Sequence, residues 1–164
     1  LSTADDFGQP SSRMVLLKSI SDEGMFFYTD YESHKGQILK KNPKAALNFW
    51  WAKTDKQIRI EGICIKTSEK ESDEYYMSRT RGSQISSSIS FQSQEIESYE
   101  DLVTRARNLA ESYKDKRIER PERWGGFKLS PRKVEFWINQ PSRLHKRELF
   151  TLKRGKWKKT LLSP

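Results

Sequence analysis

Short apolar segments separated by tight-turn signals fill the first half of the chain, and they constrain its fold more than any other feature. Asp5-Asp6-Phe7-Gly8-Gln9-Pro10 and Ser21-Asp22-Glu23-Gly24 have the composition of turns. The segments around them have the length and residue types of strands, which predicts a β-meander. A change of phase at Gly62 predicts a β-bulge that returns Ile63 and Ile65 to the inward register of Ile58 and Ile60. The strands predicted here are Leu1–Ala4, Ser12–Lys18, Met25–Thr29, Ala45–Ala52 and Gln57–Thr67.

Helix signals interrupt these strands at two places. Ser33 has the position of an N-cap for a helix to about Lys41, and Asn42-Pro43 ends it, because proline disfavours helical geometry in the residue before it. Ser68-Glu69-Lys70-Glu71 has the spacing of a capping box. The helix that this box predicts carries Tyr75, Tyr76 and Arg79.

The second half contains a serine-rich stretch, another helix and further strands. Ser83–Ser93 has the composition of a low-complexity segment, which indicates a disordered or mobile loop. Ser98 begins a helix to about Lys116 with one apolar stripe. Together the segments predict an α+β, mainly β, domain over residues 1–164, in which six to eight antiparallel strands close as a barrel with peripheral helices. The later strands predicted are Trp124–Phe127, Val134–Trp137, Leu149–Leu152 and Trp157–Leu161.

Length and composition exclude several classes of protein. A chain of 164 residues buries roughly 70% of its unfolded surface, so it needs no disulfide or structural metal. The single Cys64 excludes a disulfide framework and a multi-cysteine metal site, and we expect it to be inert and no metal to bind. A mean hydropathy of −0.88 and the lack of a long apolar run predict a soluble, cytoplasmic protein with no membrane partner. Because the first residue is Leu1, we expect an N-terminal segment to be missing.

The positive charge of the chain is concentrated in its last third. Residues 1–114 carry 16 basic and 17 acidic side chains, whereas residues 115–164 carry 15 basic and five acidic ones, a net charge of +10. Clustered cations are typical of nucleic-acid binding, of a solvated face, or of sites for small phosphorylated ligands. Nucleic-acid binding is the least favoured of the three, because the sequence lacks a basic ribbon interleaved with aromatic residues.

Several cations have the spacing of phosphate ligands, although the chain has no P-loop or dinucleotide fingerprint. Arg13 and Lys18 lie five positions apart on a predicted strand, so they would face opposite ways and serve two different anions. His34-Lys35 begins a helix, where the dipole favours an anion. Tyr75, Arg79 and Ser83 would converge on one phosphate, although each alone is equally typical of a solvated surface.

A second basic group follows Trp137. Arg143, His145 and Arg147 would lie on one face of an extended segment, because side chains alternate along a strand. This pattern indicates a functional surface or, alternatively, a basic edge strand that resists aggregation. Trp124 and Phe136 nearby are expected to be core residues.

Ordered motifs over essentially all 164 residues resemble the pyridoxine (pyridoxamine) 5′-phosphate oxidase family. The resemblance implies an FMN-binding split β-barrel, a homodimer with active sites at the subunit interface. It implies oxidation of pyridoxine 5′-phosphate or pyridoxamine 5′-phosphate to pyridoxal 5′-phosphate, with oxygen as electron acceptor and hydrogen peroxide as product. The motifs are Arg13-Met14-Val15-Leu16-Leu17-Lys18, Phe27-Tyr28-Thr29, Arg79-Thr80-Arg81-Gly82-Ser83-Gln84, Gln92-Ser93, Trp124-Gly125-Gly126-Phe127, Glu135-Phe136-Trp137 and Arg143-Leu144-His145.

The same resemblance implies a role for each matching residue. Arg143 and His145 match catalytic residues over the pyridine ring of the substrate. The substrate phosphate would be bound by Lys18, Tyr75, Arg79 and Ser83. FMN would be bound by Arg13, Tyr28, Thr29, His34, Lys35, Gln57, Gln92, Ser93, Trp137 and Arg147, of which Arg13 and Lys35 match residues at the flavin phosphate.

The sequence also departs from the family pattern. His34 replaces a usual Arg, which predicts weaker and pH-dependent FMN binding, and Lys146 replaces a usual Asp. These changes leave open a second function, a split-barrel protein that binds flavin or pyridoxal phosphate with little turnover. The other departures are Thr80 for a usual Pro, Ser86-Ser87 for Gly-Ala, and Ile138-Asn139 for Gln-Gly.

Overall fold

The computed structural model describes residues 1–114 and 116–164 of the chain. These residues contain nine strands and four α-helices. The strands are β1 (Ser2–Ala4), β2 (Pro10–Ser12), β3 (Ser19–Ser21), β4 (Gly24–Asp30), β5 (Lys44–Trp51), β6 (Lys56–Lys66), β7 (Trp124–Ile138), β8 (Lys146–Lys153) and β9 (Lys156–Leu162). The helices are α1 (His34–Lys41), α2 (Glu69–Ser78), α3 (Arg81–Ile89) and α4 (Tyr99–Ser112). The predicted mainly β, antiparallel α+β fold is confirmed.

The long strand β7 organises the sheet, whose order is β2-β1-β5-β6-β7-β4-β3. Its first half, residues 124–129, pairs with β4, and its second half, residues 133–138, pairs with β8, which in turn pairs with β9. Along its length β7 also pairs with β6. One strand therefore connects the barrel around β4 to the β8–β9 hairpin that extends from it.

The apolar core lies on the inner face of these strands. Phe27, Leu47, Ile60 and Leu129 are each at most 4% exposed and belong to one cluster. A second cluster, around Tyr76 and under α4, contains Ile85, Ile118 and Trp124.

The predicted β-bulge exists, but on the neighbouring strand. The register between β6 and β7 shifts between Glu61 and Gly62, and the additional residue is Arg132 of β7. Strand β6 therefore keeps its alternation: Cys64 is buried and Ile65 is 49% exposed, so the prediction that Ile63 and Ile65 face inward is wrong. Burial raises the pKa of the Cys64 thiol to about 12, in agreement with an inert cysteine.

The capping signals correctly predicted where three of the helices begin. Ser33 caps α1 and accepts from the Gly36 N–H, and Ser68 and Glu71 form a capping box at α2. Ser98 caps α4, which ends at Ser112, before the predicted end. No helix in the described part of the chain is long and apolar enough to cross a membrane.

Two segments differ from their predictions. Residues 13–18 have irregular backbone between β2 and β3, so Arg13 and Lys18 do not alternate on one regular strand. The serine-rich stretch is not a loop throughout, because Arg81–Ile89 form helix α3, capped by the Thr80 hydroxyl. The predicted strands Trp124–Phe127 and Val134–Trp137 are parts of the single strand β7.

We expect Gly62→Ala to lower the free energy of unfolding by about 1–3 kcal/mol, because a Cβ at this position would overlap the Ser130 carbonyl of β7. Urea unfolding at fixed protein concentration measures the change. Gly82→Ala is the matched control: its Cβ would meet open space in α3, and alanine favours a helix. An equal loss of stability in both variants would contradict this account of the β6–β7 contact.

Candidate functional site

A cavity of about 530 Å³ opens beside β4, between the irregular segment 14–18 and the ends of α2 and α3. Strand β4 contributes Tyr28 and Thr29, and the first turn of α1 contributes Lys35. The junction of α2 and α3 brings in Tyr75, Arg79 and Ser83. The other lining residues are Met14, Val15, Leu16, Lys18, Ser78, Thr80, Gln92 and Trp124.

Lys35 is buried at one end of this cavity and held by neutral groups. Its ammonium donates to the Thr29 hydroxyl at 3.0 Å, the Ser33 hydroxyl at 3.1 Å and the Gln92 side-chain oxygen at 2.6 Å. Burial and, to a lesser extent, the charge of Arg13 lower its pKa to about 8, against the opposing effect of Asp30. This ammonium is therefore short of a negative partner.

Arg79 lies at the other end, on an aromatic wall. It follows the last turn of α2 as its C-cap, and its guanidinium lies 4.3 Å from the centre of the Trp124 ring. Tyr28 and Tyr75 stack with their ring centres 3.8 Å apart, and the Lys18 ammonium lies 5.9 Å from the centre of the Tyr75 ring. Burial lowers the pKa of Arg79 because its charge is only partly solvated.

The charge of the cavity is wholly positive. Its lining includes Lys18, Lys35 and Arg79 but no aspartate or glutamate. Among the ion pairs of residues 1–114 and 116–164, none involves these three cations. Partly buried cations without carboxylate partners select for anionic ligands. Arg13 does not line the cavity but adds its charge nearby, while bonding to the Thr3 and Ser11 hydroxyls.

A second cluster of predicted residues lies on the outer face of the sheet. Gln57, Trp137 and Arg147 are direct neighbours across β6, β7 and β8. They point outward because Ile58, next along β6, is buried in the core. Arg147 Nε donates to the Glu135 carboxylate at 2.7 Å, which raises the pKa of Arg147 and lowers that of Glu135.

Arg143 and His145 lie next to this second cluster, but not as predicted. The segment 143–147 is not extended throughout: Pro141–Arg143 form a 3₁₀ turn, and β8 begins only at Lys146. Ser142 and Arg143 have φ angles of 55° and 60°, a left-handed backbone that side chains rarely adopt. The His145 ring lies 4.4 Å from the Trp137 ring, and its Nδ1 accepts from the Gln140 N–H at 3.3 Å.

One chain therefore does not bring all the predicted site residues together. The cavity collects Lys18, Tyr28, Thr29, Lys35, Tyr75, Arg79, Ser83 and Gln92. The outer face collects Gln57, Trp137, His145 and Arg147, and Arg143 lies in the 3₁₀ turn two residues before His145. His34 belongs to neither set, because it is exposed and lines a shallow hollow with Asp5 and Asp6. Ser93 is exposed beside Gln92, with a φ of 73°, and lines a different hollow.

Sequence reasoning missed three residues at the cavity. Trp124, expected to be a core residue only, is in the core and also forms a wall of the cavity. Ser87 receives a hydrogen bond from Arg79 at 2.9 Å, and only its departure from the family pattern marked the position. No feature of the sequence marked Arg123. It pairs with Asp30 at 3.2 Å and donates to three carbonyls at the end of α3.

Phe136, the other residue that was expected to lie in the core, is 36% exposed.

The fold and the cavity define a class of protein: a split β-barrel with an anion-selecting cleft. Residues 1–114 match the family described as pyridoxamine 5′-phosphate oxidase, and residues 124–164 match the pyridoxine 5′-phosphate oxidase C-terminal dimerisation region. The chain belongs to the pyridoxamine 5′-phosphate oxidase family. The dimerisation region indicates that it forms a homodimer.

Individual relatives agree with this placement. Proteins named pyridoxine/pyridoxamine 5′-phosphate oxidase from Paraburkholderia phytofirmans and Nostoc punctiforme are each 46% identical over the whole chain, which covers 78% and 77% of their lengths. PhzG from Burkholderia lata, solved in complex with tetrahydrophenazine-1-carboxylic acid, is 34% identical with a TM-score of 0.95, over 99% of this chain and 80% of PhzG. The fold is shared by a pyridoxamine 5′-phosphate oxidase-related, FMN binding protein from Nostoc punctiforme. That protein is 14% identical, with a TM-score of 0.79, and the match covers 99% of this chain and 85% of the other chain.

We expect Lys35 to titrate with a pKa of about 8, whereas exposed lysines titrate near about 10.4. Its ammonium carries the positive charge below that pH and loses it above, so the cavity is more positive at pH 7 than at pH 9. ¹³C NMR of labelled lysine side chains measures the titration, and Lys35→Arg should remove the shifted signal. A set of lysine signals that all titrate above about pH 10 would contradict the assignment.

Proposed function

We propose that the protein is an FMN-dependent oxidase that converts pyridoxine 5′-phosphate or pyridoxamine 5′-phosphate to pyridoxal 5′-phosphate, with oxygen as electron acceptor and hydrogen peroxide as product. The observation that carries the proposal is the convergence of Lys18, Tyr75, Arg79 and Ser83 on the cavity that also contains Lys35. Cations at two ends of one cleft fit two phosphoesters, one from a cofactor and one from a substrate. Residues 1–164 would form one FMN-binding domain.

The Lys35 end of the cavity fits the phosphate of FMN. A buried ammonium with only neutral partners, near a second cation in Arg13, gains most from a dianionic ligand. Thr29 and Gln92 already bond to this ammonium, so their polar atoms are within reach of the same ligand. When bound, FMN supplies the acceptor for the hydride that leaves C4′ of the substrate.

The Arg79 end fits the phosphate of the substrate. The guanidinium presents a planar set of donors, and Lys18 adds a point charge across the Tyr75 ring. The Tyr75 and Ser83 hydroxyls add neutral donors. Four such groups around one position favour a phosphoester over a carboxylate, because a phosphate has more oxygens to satisfy.

The second half of each site would come from the other protomer of the homodimer. Trp137, His145 and Arg147 lie on an outer sheet face within the region 124–164 that matches the dimerisation region. Apolar side chains close to that face, such as Trp50 and Leu144, are 54% and 71% exposed in the single chain. A dimer interface would cover them and place one protomer's outer face at its partner's cavity.

Arg143 and His145 would then act on the reacting end of the substrate. Arg143 would cover the pyridine ring and stabilise the charge that develops as C4′ is oxidised. His145, held against Trp137 by its ring contact, would orient the 4′ substituent or accept its proton. The left-handed backbone at Ser142 and Arg143 supports this role, because strained residues concentrate at active sites.

A second candidate function rests on the likeness to PhzG, at 34% identity. Its ligand, tetrahydrophenazine-1-carboxylic acid, carries a carboxylate, so a related oxidation of a tricyclic acid is the alternative activity. Binding of flavin or pyridoxal phosphate with little turnover is the third candidate, supported by His34 and Lys146 where the family usually has Arg and Asp. A cytoplasmic location, and the lack of metal, nucleic-acid and membrane partners, stay predictions.

We expect the purified protein to take up FMN and to release peroxide with pyridoxamine 5′-phosphate. Arg143→Ala should lower turnover by about 100-fold while FMN affinity stays within a few-fold of the original, because the arginine acts on the reacting ring. Flavin fluorescence and a peroxide assay measure the two effects. Peroxide from the phenazine acid alone would favour the second candidate, bound FMN without peroxide would favour the third, and failure to take up FMN would contradict all three.

We expect an inactive Arg79→Ala homodimer and an inactive Arg143→Ala homodimer to complement each other when mixed. If the two residues come from different protomers, half of a statistical mixture is hybrid and each hybrid keeps one intact site, which gives about a quarter of the original activity. The peroxide assay after subunit exchange measures the recovery. Each variant alone, taken through the same exchange, is the control, and a mixture that stays inactive would contradict a shared site.

A further inference from the structure

Ser87 contacts the Arg79 guanidinium. Its hydroxyl oxygen lies 2.9 Å from Arg79 Nη1, and its side chain is only 8% exposed. It lies on α3 four residues after Ser83, so the two serines share one face of that helix. Ser83 lines the cavity, and Ser87 lines a neighbouring hollow that Arg79 also borders.

The direction of this hydrogen bond follows from the donors available. A serine hydroxyl has one hydrogen, and two acceptors within α3 compete for it: the Ser83 carbonyl at 3.0 Å and the Gln84 carbonyl at 2.9 Å. The hydrogen is therefore directed into the helix, and a lone pair faces Arg79. Because a guanidinium has no acceptor, Ser87 must accept from it.

Two contacts then fix the plane of the guanidinium. The Trp124 ring supports its face at 4.3 Å, and Ser87 holds one edge nitrogen. No carboxylate pairs with Arg79 among residues 1–114 and 116–164, so neither contact neutralises its charge. The other N–H donors of the Arg79 guanidinium therefore stay available to an anion in the cavity, and they are already oriented before the anion binds.

We propose that Ser87 is a positioning residue for the substrate phosphate, which holds Arg79 in its binding orientation and so raises the preference for phosphorylated over unphosphorylated substrates. The proposal rests on the proposed function for its substrate.

The test is Ser87→Ala in the FMN-loaded protein. KM for pyridoxamine 5′-phosphate should rise about five- to tenfold with kcat within twofold, which is the net effect of one typical hydrogen bond lost. kcat/KM for unphosphorylated pyridoxamine and FMN affinity should not change. In an Arg79→Ala background, where turnover is lost, the same substitution should not weaken the binding of inorganic phosphate any further, because the serine acts through the arginine.

Ser86→Ala is the matched control, since the exposed Ser86 side chain lines the same hollow as Arg79 and Ser87 but makes no hydrogen bond to Arg79, and this variant should leave all parameters unchanged. An unchanged KM in Ser87→Ala would overturn the proposal. A joint loss of kcat, FMN affinity and urea stability would also overturn it, because that pattern reports a structural role.

The proposal can also be decided without turnover. If no B6 vitamer is oxidised, the proposed function fails, but binding of inorganic phosphate to the FMN-saturated protein still tests Ser87. A ³¹P NMR titration should then give an inorganic phosphate affinity about five- to tenfold weaker in Ser87→Ala than in Ser86→Ala. Equal affinities would overturn the proposal.

Discussion

Uncompensated positive charge inside the cleft is the constraint on which the rest of the site depends. Lys18, Lys35 and Arg79 line one cavity whose lining has no carboxylate. Lys18 is exposed, whereas Lys35 and Arg79 are partly desolvated and held in place: Lys35 by the hydroxyls around α1, and Arg79 by the Trp124 ring and Ser87. Burial of these two charges without a carboxylate partner is unfavourable, and an anionic ligand would relieve it.

Strand β7 makes this arrangement possible because it belongs to both halves of the site. At its start, Trp124 supports the cavity; at its end, Trp137 contacts His145 on the outer face. Between them, the additional residue Arg132 shifts the register against β6. The same continuous ladder therefore sets the positions of two groups of residues for which we propose a function. A symmetric pair of chains would allow one group to meet the other across an interface.

Local rules were enough for much of the fold. Serine caps at residues 33, 68 and 98 gave the starts of three helices, because the capping interaction involves only neighbouring backbone. The rules failed where the backbone depends on distant partners. Arg81–Ile89 form a helix in spite of their serines, because Ile85 packs in the core and Arg123 binds the carbonyls at the helix end.

The site was predictable in its members but not in its arrangement. The resemblance identified the cations of the cavity, and the structure brings Lys18, Tyr75, Arg79 and Ser83 together. The argument from alternation does not apply to residues 13–18 or to residues 143–145, because neither segment is a regular strand. Ser87 contacts Arg79 across the junction of α2 and α3, and Arg123 contacts the end of α3 from more than 30 residues away. A single sequence contains no local signal for contacts between elements.

The stacked rings of Tyr28 and Tyr75 have a consequence for communication within the cleft. Tyr28 belongs to β4 beside the Lys35 end, whereas Tyr75 belongs to α2 beside the Lys18 and Arg79 end. With ring centres 3.8 Å apart, neither ring can tilt without displacing the other. A ligand that shifts one ring must therefore shift the other as well, so the two tyrosines would respond to occupancy of the cleft as one unit.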